Sequence, residues 1–370
     1  MNGTRSYVVI QRADEKTAGW AKYMPAHTEL VQLPGSAIRT PILLLYNIMR
    51  RRMLPAAVIV RYLNDYPSIV RTLIRTMSEL MTILICVLLG IRVIWLCHNV
   101  DRESLQYHPV MSRLRRRLHG QVSHTILVTD QLLVPHAKRL VARNNTTIRG
   151  SCFGDPKELK KPGRIDEQDR ELIERFVEGA KDGLGDTTLV GFYAGTPDNK
   201  KLDTFRLIPD LINAAQHEGI ELHFIVVGPI RGMIAKELPE VLDFLSSDPR
   251  VLFIGDRYVD IDLLTINKAI DFYWRVYTDL SVPYSTYYAA SVRKPILTIN
   301  RGFLAEMVYT YKLGAVADYD LGNLGQCLHE LREWETSNAE LFLASHSWAA
   351  GARAVGLAAL SADTEPSNAE

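Results

Sequence analysis

Two spacings of apolar residues alternate along this 370-residue chain, and their alternation predicts a parallel α/β architecture. Short apolar runs mark strands at Ser6–Gln11, Glu29–Leu33, Ala56–Arg61, Arg92–Leu96, Thr125–Thr129 and Thr146–Ser151. Ala56–Arg61 is almost continuously apolar, as strands covered on both faces are. Helical spacing fills the gaps at Ile42–Arg52, Ser68–Leu89, Tyr107–Leu118 and Val134–Val141. A charged stretch, Asp155–Asp186, interrupts the rhythm with Lys160-Lys161-Pro162-Gly163 and a polar helix at Glu167–Lys181. The rhythm then restarts. Strands are expected at Thr188–Tyr193, Glu221–Val227, Arg250–Ile254 and Ala269–Tyr273, and helices at Asp203–Glu218, Glu237–Ser247 and Ile261–Asn267. Pro283-Tyr284-Ser285-Thr286 opens a short helix, and Lys294-Pro295 begins another apolar strand. One last helix, Asn338–Leu360, is expected to reach back to the first half, with Thr364–Glu370 a frayed tail.

The pattern therefore predicts two doubly wound α/β domains: residues 1–155 and 187–336, joined by 156–186, with 337–370 returning to the first. The longest apolar run, Leu80 to Gly90, is shorter than the roughly 20 residues a membrane span requires and reads as a buried helix. The first residues lack the apolar core of a signal peptide, so a cytoplasmic protein is expected.

Charge changes the picture. The net charge is only +1, but residues 1–150 hold 21 Lys and Arg against 8 Asp and Glu, a net of +13. Residues 151–370 hold 22 against 34, a net of −12. A basic first half suits an anionic partner, and the two halves also suit each other. Arg50-Arg51-Arg52 and the group Arg113, Arg115, Arg116 and Arg117 form basic patches. On a helix Arg113, Arg116 and Arg117 share a face, which suits an anionic membrane or a plain solvated helix surface; peripheral attachment is expected from them. A nucleic-acid partner is not expected, because no helix-turn-helix, finger or aromatic platform accompanies the arginines. The cysteines Cys86, Cys97, Cys152 and Cys327 form no C-x-x-C pair, which argues against a metal ribbon or a disulfide frame.

Ligands of parallel sheets sit beyond the carboxyl ends of strands, and four polar loops fall there. After Arg92–Leu96 come His98, Asn99, Asp101 and Glu103, an imidazole and two carboxylates suited to moving a proton; Asp101 also suits a helix cap. After Thr188–Tyr193 come Gly195 and Thr196, then Lys200 and Lys201 at a helix start, suited to a diphosphate or to an ordinary turn. Gly228 follows the next strand. Tyr284, Ser285, Thr286 and Tyr287 offer small hydroxyls and backbone N–H groups to a phosphate. Glu306, at the end of the loop Asn300-Arg301-Gly302-Phe303-Leu304-Ala305-Glu306, suits sugar hydroxyls or is a solvated first-turn carboxylate. Asp318-Tyr319-Asp320 reads as a surface turn, and no metal is expected.

Together these loops resemble the GT-B glycosyltransferases that use nucleotide sugars, most closely over Thr188–Val316. In that family a Gly-Arg turn and a phosphate-contacting lysine follow a strand; Gly195 and Lys201 match, and Thr196 replaces the arginine. Gly228 matches a family glycine, Tyr284–Lys294 a donor loop, and His98-Asn99 a first-domain loop. Two glutamates seven residues apart are frequent in the family; here those positions are Leu280 and Tyr288, with Asp279 one place away. The resemblance implies two Rossmann-like domains facing a cleft. The first would take a lipid-linked or glycan acceptor, with His98, Asp101 or Glu103 handling its hydroxyl. The second would take the nucleotide-sugar donor, without metal or other cofactor. A catalytically degenerate relative serving as a scaffold, or a sugar-nucleotide epimerase of the same fold, are the alternatives.

Overall fold

The computed structural model describes residues 6–103, 105–141, 146–159, 167–182, 187–259 and 269–360. The helix expected at Ile261–Asn267, Lys160–Gly163 and the tail fall outside them. The chain forms two compact units: Met1–Leu159 with Asp279–Val282 and His346–Glu370, and Lys160–Thr278 with Pro283–Ser345.

The first unit runs β1 (Ser6–Ile10), α1 (Glu15–Lys22), β2 (Thr28–Gln32), α2 (Thr40–Arg51), β3 (Ala57–Arg61), α3 (Ile69–Leu88), β4 (Arg92–Cys97), α4 (Pro109–Val122), β5 (Thr125–Val128), α5 (Leu133–Leu140) and β6 (Thr147–Gly150). Its described strands form a parallel sheet in the order β2-β1-β3-β4-β5-β6. Val9 lies opposite Val58, and Ile59 opposite Ile94. Strand interiors such as Val8, Ile59 and Ile94 are fully buried, each worth roughly 1.5–3 kcal/mol of apolar burial. Right-handed crossovers place α2, α3, α4 and α5 on one face, because β2 to β6 advance in one direction. They place α1 on the other, where the C-terminal helix Trp348–Leu360 packs against α1, β4, β5 and β6. Trp348 settles there against Gly19 and Gly154; a Cβ on either glycine would come within 2.4 Å of its indole.

The second unit runs α6 (Glu167–Lys181), β7 (Thr188–Ala194), α7 (Leu202–Arg206), α8 (Ile208–His217), β8 (Glu221–Val227), α9 (Arg231–Glu237), α10 (Pro239–Ser247), β9 (Val251–Ile254), β10 (Phe272–Trp274), α11 (Ser285–Ser291), β11 (Ile296–Ile299), α12 (Phe303–Thr310), β12 (Gly314–Ala317), α13 (Leu324–Arg332) and α14 (Ser337–Ser345). The parallel strand order is β12-β11-β10-β7-β8-β9. Its core joins Phe205, Ile208, Leu211 and Ile212 to Phe224, Val226, Phe272 and Trp274.

Several elements differ from the sequence expectation. Asp203–Glu218 is two helices, because Pro209 has no N–H to continue the first and starts the second. Asn338–Leu360 is also two, and only the second belongs to the first unit. The expected helix at Glu237–Ser247 begins at Pro239 and is preceded by α9. The short elements α1, α12, β12 and α13 lacked a long apolar stripe to announce them. The run Leu80–Gly90 is not a buried helix: Leu84, Val87 and Leu88 face outward from α3.

Candidate functional site

In a sheet of this kind a ligand binds beyond the carboxyl edge where the strand order reverses. In the second unit that point lies between β7 and β10. Thr204, on α7, bonds to the end of β10: its hydroxyl donates to the Val276 carbonyl at 3.2 Å, and its own carbonyl accepts from Trp274 Nε1 at 2.6 Å. This contact anchors α7, and with it Lys201, at the reversal. Lys201 is only 7% exposed, with Nζ 3.7 Å from Asp198. Gly195 and Gly228 hold adjacent loops in close apposition. Gly228 has φ +137°, and a Cβ there would lie 2.0 Å from the Gly195 carbonyl oxygen.

The residue that sequence reasoning missed is Arg275, directly beyond β10. Its guanidinium donates to the Ala194 carbonyl at 2.8 Å and lies 5.0 Å from the Tyr193 ring. Arg275, Ser285, Ala194 and Tyr273 help line a cavity of about 10 Å³, room for one water. Arg275 Nε, Tyr193 Oη and Thr286 Oγ1 are buried without a hydrogen-bond partner among the described residues. The signal was its place one residue past a strand, hidden because β10 reaches Trp274 rather than ending at Tyr273. At the next strand end Arg301 lies 3.4 Å from Asp203, and Gly302 adopts φ +79° with its Cα close to Thr278.

The loop at Pro283–Tyr287 is partly a correction. The N–H groups of Thr286 and Tyr287 already donate to the carbonyls of Pro283 and Tyr284, at 3.0 and 3.1 Å. They are committed to the turn, and α11 has just seven residues. What this loop can offer a phosphate is the hydroxyl of Ser285, since Thr286 is fully buried. Tyr284 packs against Tyr287 and Tyr288, and Tyr287 against Phe342. Glu306 is half-buried in the first turn of α12.

In the first unit the order reverses between β1 and β3. Arg61 ends β3 and binds both oxygens of Asp14, at 3.1 and 2.6 Å. Tyr62 stacks on His98, with centroids 4.1 Å apart and planes within 5°. Burial first, then the charges of Arg61 and Lys16, hold the His98 imidazole well below the usual histidine range. It is neutral and its Nε2 has no hydrogen-bond partner among the described residues, the state a proton acceptor requires. Lys16 lies 4.4 Å from the Phe153 ring centroid; burial, then Arg61, pushes its ammonium down to about 8.

The loop carrying His98 is clamped. Arg116 donates to the carbonyls of Asn99 and Val100, at 3.0 and 2.6 Å, and to Glu103 at 2.5 Å. Val100 N–H donates to Leu280, and Arg102 pairs with Asp279 at 2.9 Å. Arg116 is therefore not on an outward face with Arg113 and Arg117. It is 8% exposed and supports the loop, whereas the other two are exposed. Glu103 is likewise buried as its partner rather than open to a substrate, while Asp101 is exposed. Asp279 is buried, paired with Arg102, and belongs to the first unit.

No protein-family model matches the chain, and no curated protein matches its sequence. Solved structures do match. The Anabaena protein HepE in complex with UDP and glucose aligns with a TM-score of 0.57 at 14% identity, over 95% of this chain and 97% of that one. WaaG, a glycosyltransferase involved in lipopolysaccharide biosynthesis, aligns at 0.56 and 12%, over 96% and 100%. Sucrose-phosphate synthase from Thermosynechococcus elongatus aligns at 0.58 and 13%, over 95% and 98%. These are GT-B glycosyltransferases. This chain has the GT-B fold.

Within the GT-B fold, Gly195, Lys201, Gly228 and Ser285 lie at the carboxyl edge of one sheet, around a single strand reversal. Thr196, where the resemblance expects an arginine, is exposed. Arg275 reaches the Ala194 carbonyl, two residues before Thr196, from the neighbouring strand. Lys200 lies in the same helical turn, Asn199–Lys201, as Lys201.

Proposed function

We propose that this protein is a glycosyltransferase, moving a hexose from a nucleoside-diphosphate donor to a hydroxyl of a lipid-linked or glycan acceptor. The observation that carries the reading is the placement of Arg275 beside Gly195 and Ser285 at the β7–β10 reversal. HepE, of the same fold, was solved with UDP and with UDP-glucose, and starch synthase IV with ADP.

The chemistry follows from charge. As the glycosidic bond breaks, the leaving diphosphate gains negative charge. Arg275 and Lys201, with the Ser285 hydroxyl, stabilise that charge where it develops. Protein cations then do what a metal does elsewhere, so the reading calls for no metal or other cofactor. Lys200, Gly228, Tyr284, Tyr287 and Glu306 complete the donor surroundings. In the first unit the neutral His98 orients the acceptor hydroxyl and takes its proton. Asp101 is the second candidate for that role.

A panel of nucleoside diphosphates and nucleotide sugars tests the reading by calorimetry and by transfer or hydrolysis. At least one diphosphate is expected to bind. Arg275→Ala should weaken its binding about ten- to hundredfold, since a charge-assisted contact to phosphate is lost. Failure of every nucleotide to bind and every nucleotide sugar to react would refute the assignment.

A further inference from the structure

Helices α3 and α4 are built inside out. A helix on a water-soluble surface turns its apolar stripe toward the core and its polar side outward. On α3 the side chains turned inward include Thr72, Arg75, Ser78, Glu79 and Thr82. Those turned outward include Val70, Leu73, Met77, Leu84, Val87 and Leu88, between 48% and 74% exposed. On α4, Ser112, Arg115, Arg116 and His119 are buried, while Val110 and Leu114 are exposed. Helix α2, packed beside α3, adds Ile42, Tyr46 and Met49 to the outer surface. An apolar surface of this extent is far larger than the isolated exposed leucines that need no explanation.

The exposed charge carried by these three helices is positive. Arg50, Arg52, Arg71, Arg113 and Arg117 are exposed along the three helices. Between residues 40 and 100 the carboxylates are Asp65 and Glu79, and both are buried against Arg115, at 2.9 and 2.6 Å. We infer that the α2–α3–α4 face docks onto an anionic lipid bilayer, with α3 lying in the plane of the interface. The apolar side chains would enter the acyl boundary while the arginines meet lipid phosphates. A second copy of this chain would bring the same arginines, and the exposed carboxylates at the margin, Glu29 and Asp101, are already paired with Arg51 and Arg102, so it is the poorer occupant. No described helix is long and apolar enough to cross a membrane, and the polar inner side of α3 is held to the sheet, so α3 lies along the bilayer. The expectation of membrane attachment through Arg113, Arg116 and Arg117 thus shifts to a wider face from which Arg116 is absent.

The inference stands apart from sugar transfer, because vesicle binding is read without donor or acceptor. The full chain is floated with phosphatidylcholine vesicles, with and without about a quarter phosphatidylglycerol. It should float with the anionic vesicles and less with the neutral ones. The double variant Leu73→Glu/Met77→Glu changes exposed positions only, so it should keep its circular dichroism and bind at least about tenfold more weakly. Binding by the double variant equal to the parent's overturns the inference. So does absence of vesicle binding, including the case where the parent is a dimer that the double variant dissolves, which would give the face to a second copy.

Discussion

His98 shows how one side chain acquires a chemical character from its surroundings. Stacked on Tyr62 and near Arg61 and Lys16, it is kept uncharged by burial and then by those two cations. The folded state therefore refuses a proton that the unfolded chain accepts below pH about 6.5. The stability associated with a neutral His98 is present above that pH and lost as the pH falls below it. In His98→Gln the decline of unfolding free energy from about pH 6.5 to 5 should be shallower by close to one proton, measured by urea titration at a series of pH values. An unchanged slope would mean that His98 protonates freely in the native state. That His98 stands just beyond a strand end was legible from the apolar run before it; its lowered basicity was not, because Arg61 and Lys16 are distant in sequence.

At the scale of elements, the inverted helices require something to hold them to the sheet in place of an apolar stripe. The Arg115–Asp65–Glu79 cluster does this. Arg115 donates to Glu79 at 2.6 and 2.8 Å, and Arg75 donates to it at 3.0 Å. Burial alone would raise the Glu79 pKa, but His119 and Arg115 outweigh it and hold the carboxyl below its ordinary value. Removing one member leaves a buried charge uncompensated. Glu79→Ala should cost about 3–5 kcal/mol of unfolding free energy in urea, with the nucleotide binding proposed at Arg275 unaltered because that residue lies in the other unit. Strand and helix alternation was readable here from β-branched runs such as Val58-Ile59-Val60. The direction in which α3 presents its stripe was not, since periodicity reports that a helix is amphipathic and not which side meets the sheet.

For the whole molecule, the chain crosses between its units more than once: Asp279–Val282 and the C-terminal helix both belong to the first. That helix brings Trp348 to Gly19 and Gly154, and its Nε1 donates to the Asp155 carbonyl at 3.0 Å. Ending the chain at Ser345 should therefore unfold the first unit selectively. In hydrogen exchange, amides of β1 and β3–β6 should lose protection while those of β7, β8 and β11 keep it; loss in both units together would show them to be one cooperative body. The order of apolar runs and turns was enough to specify two parallel α/β units and to bring Lys201 and Ser285 to strand ends, since local propensity and burial act over a few residues. The pairing of Arg275 with the Gly195 turn, the inward turn of Arg116, the loss of Asp279 to the first unit and the outward stripe of α3 arose only on folding. Each depends on contacts between residues far apart in the chain, which no local pattern records.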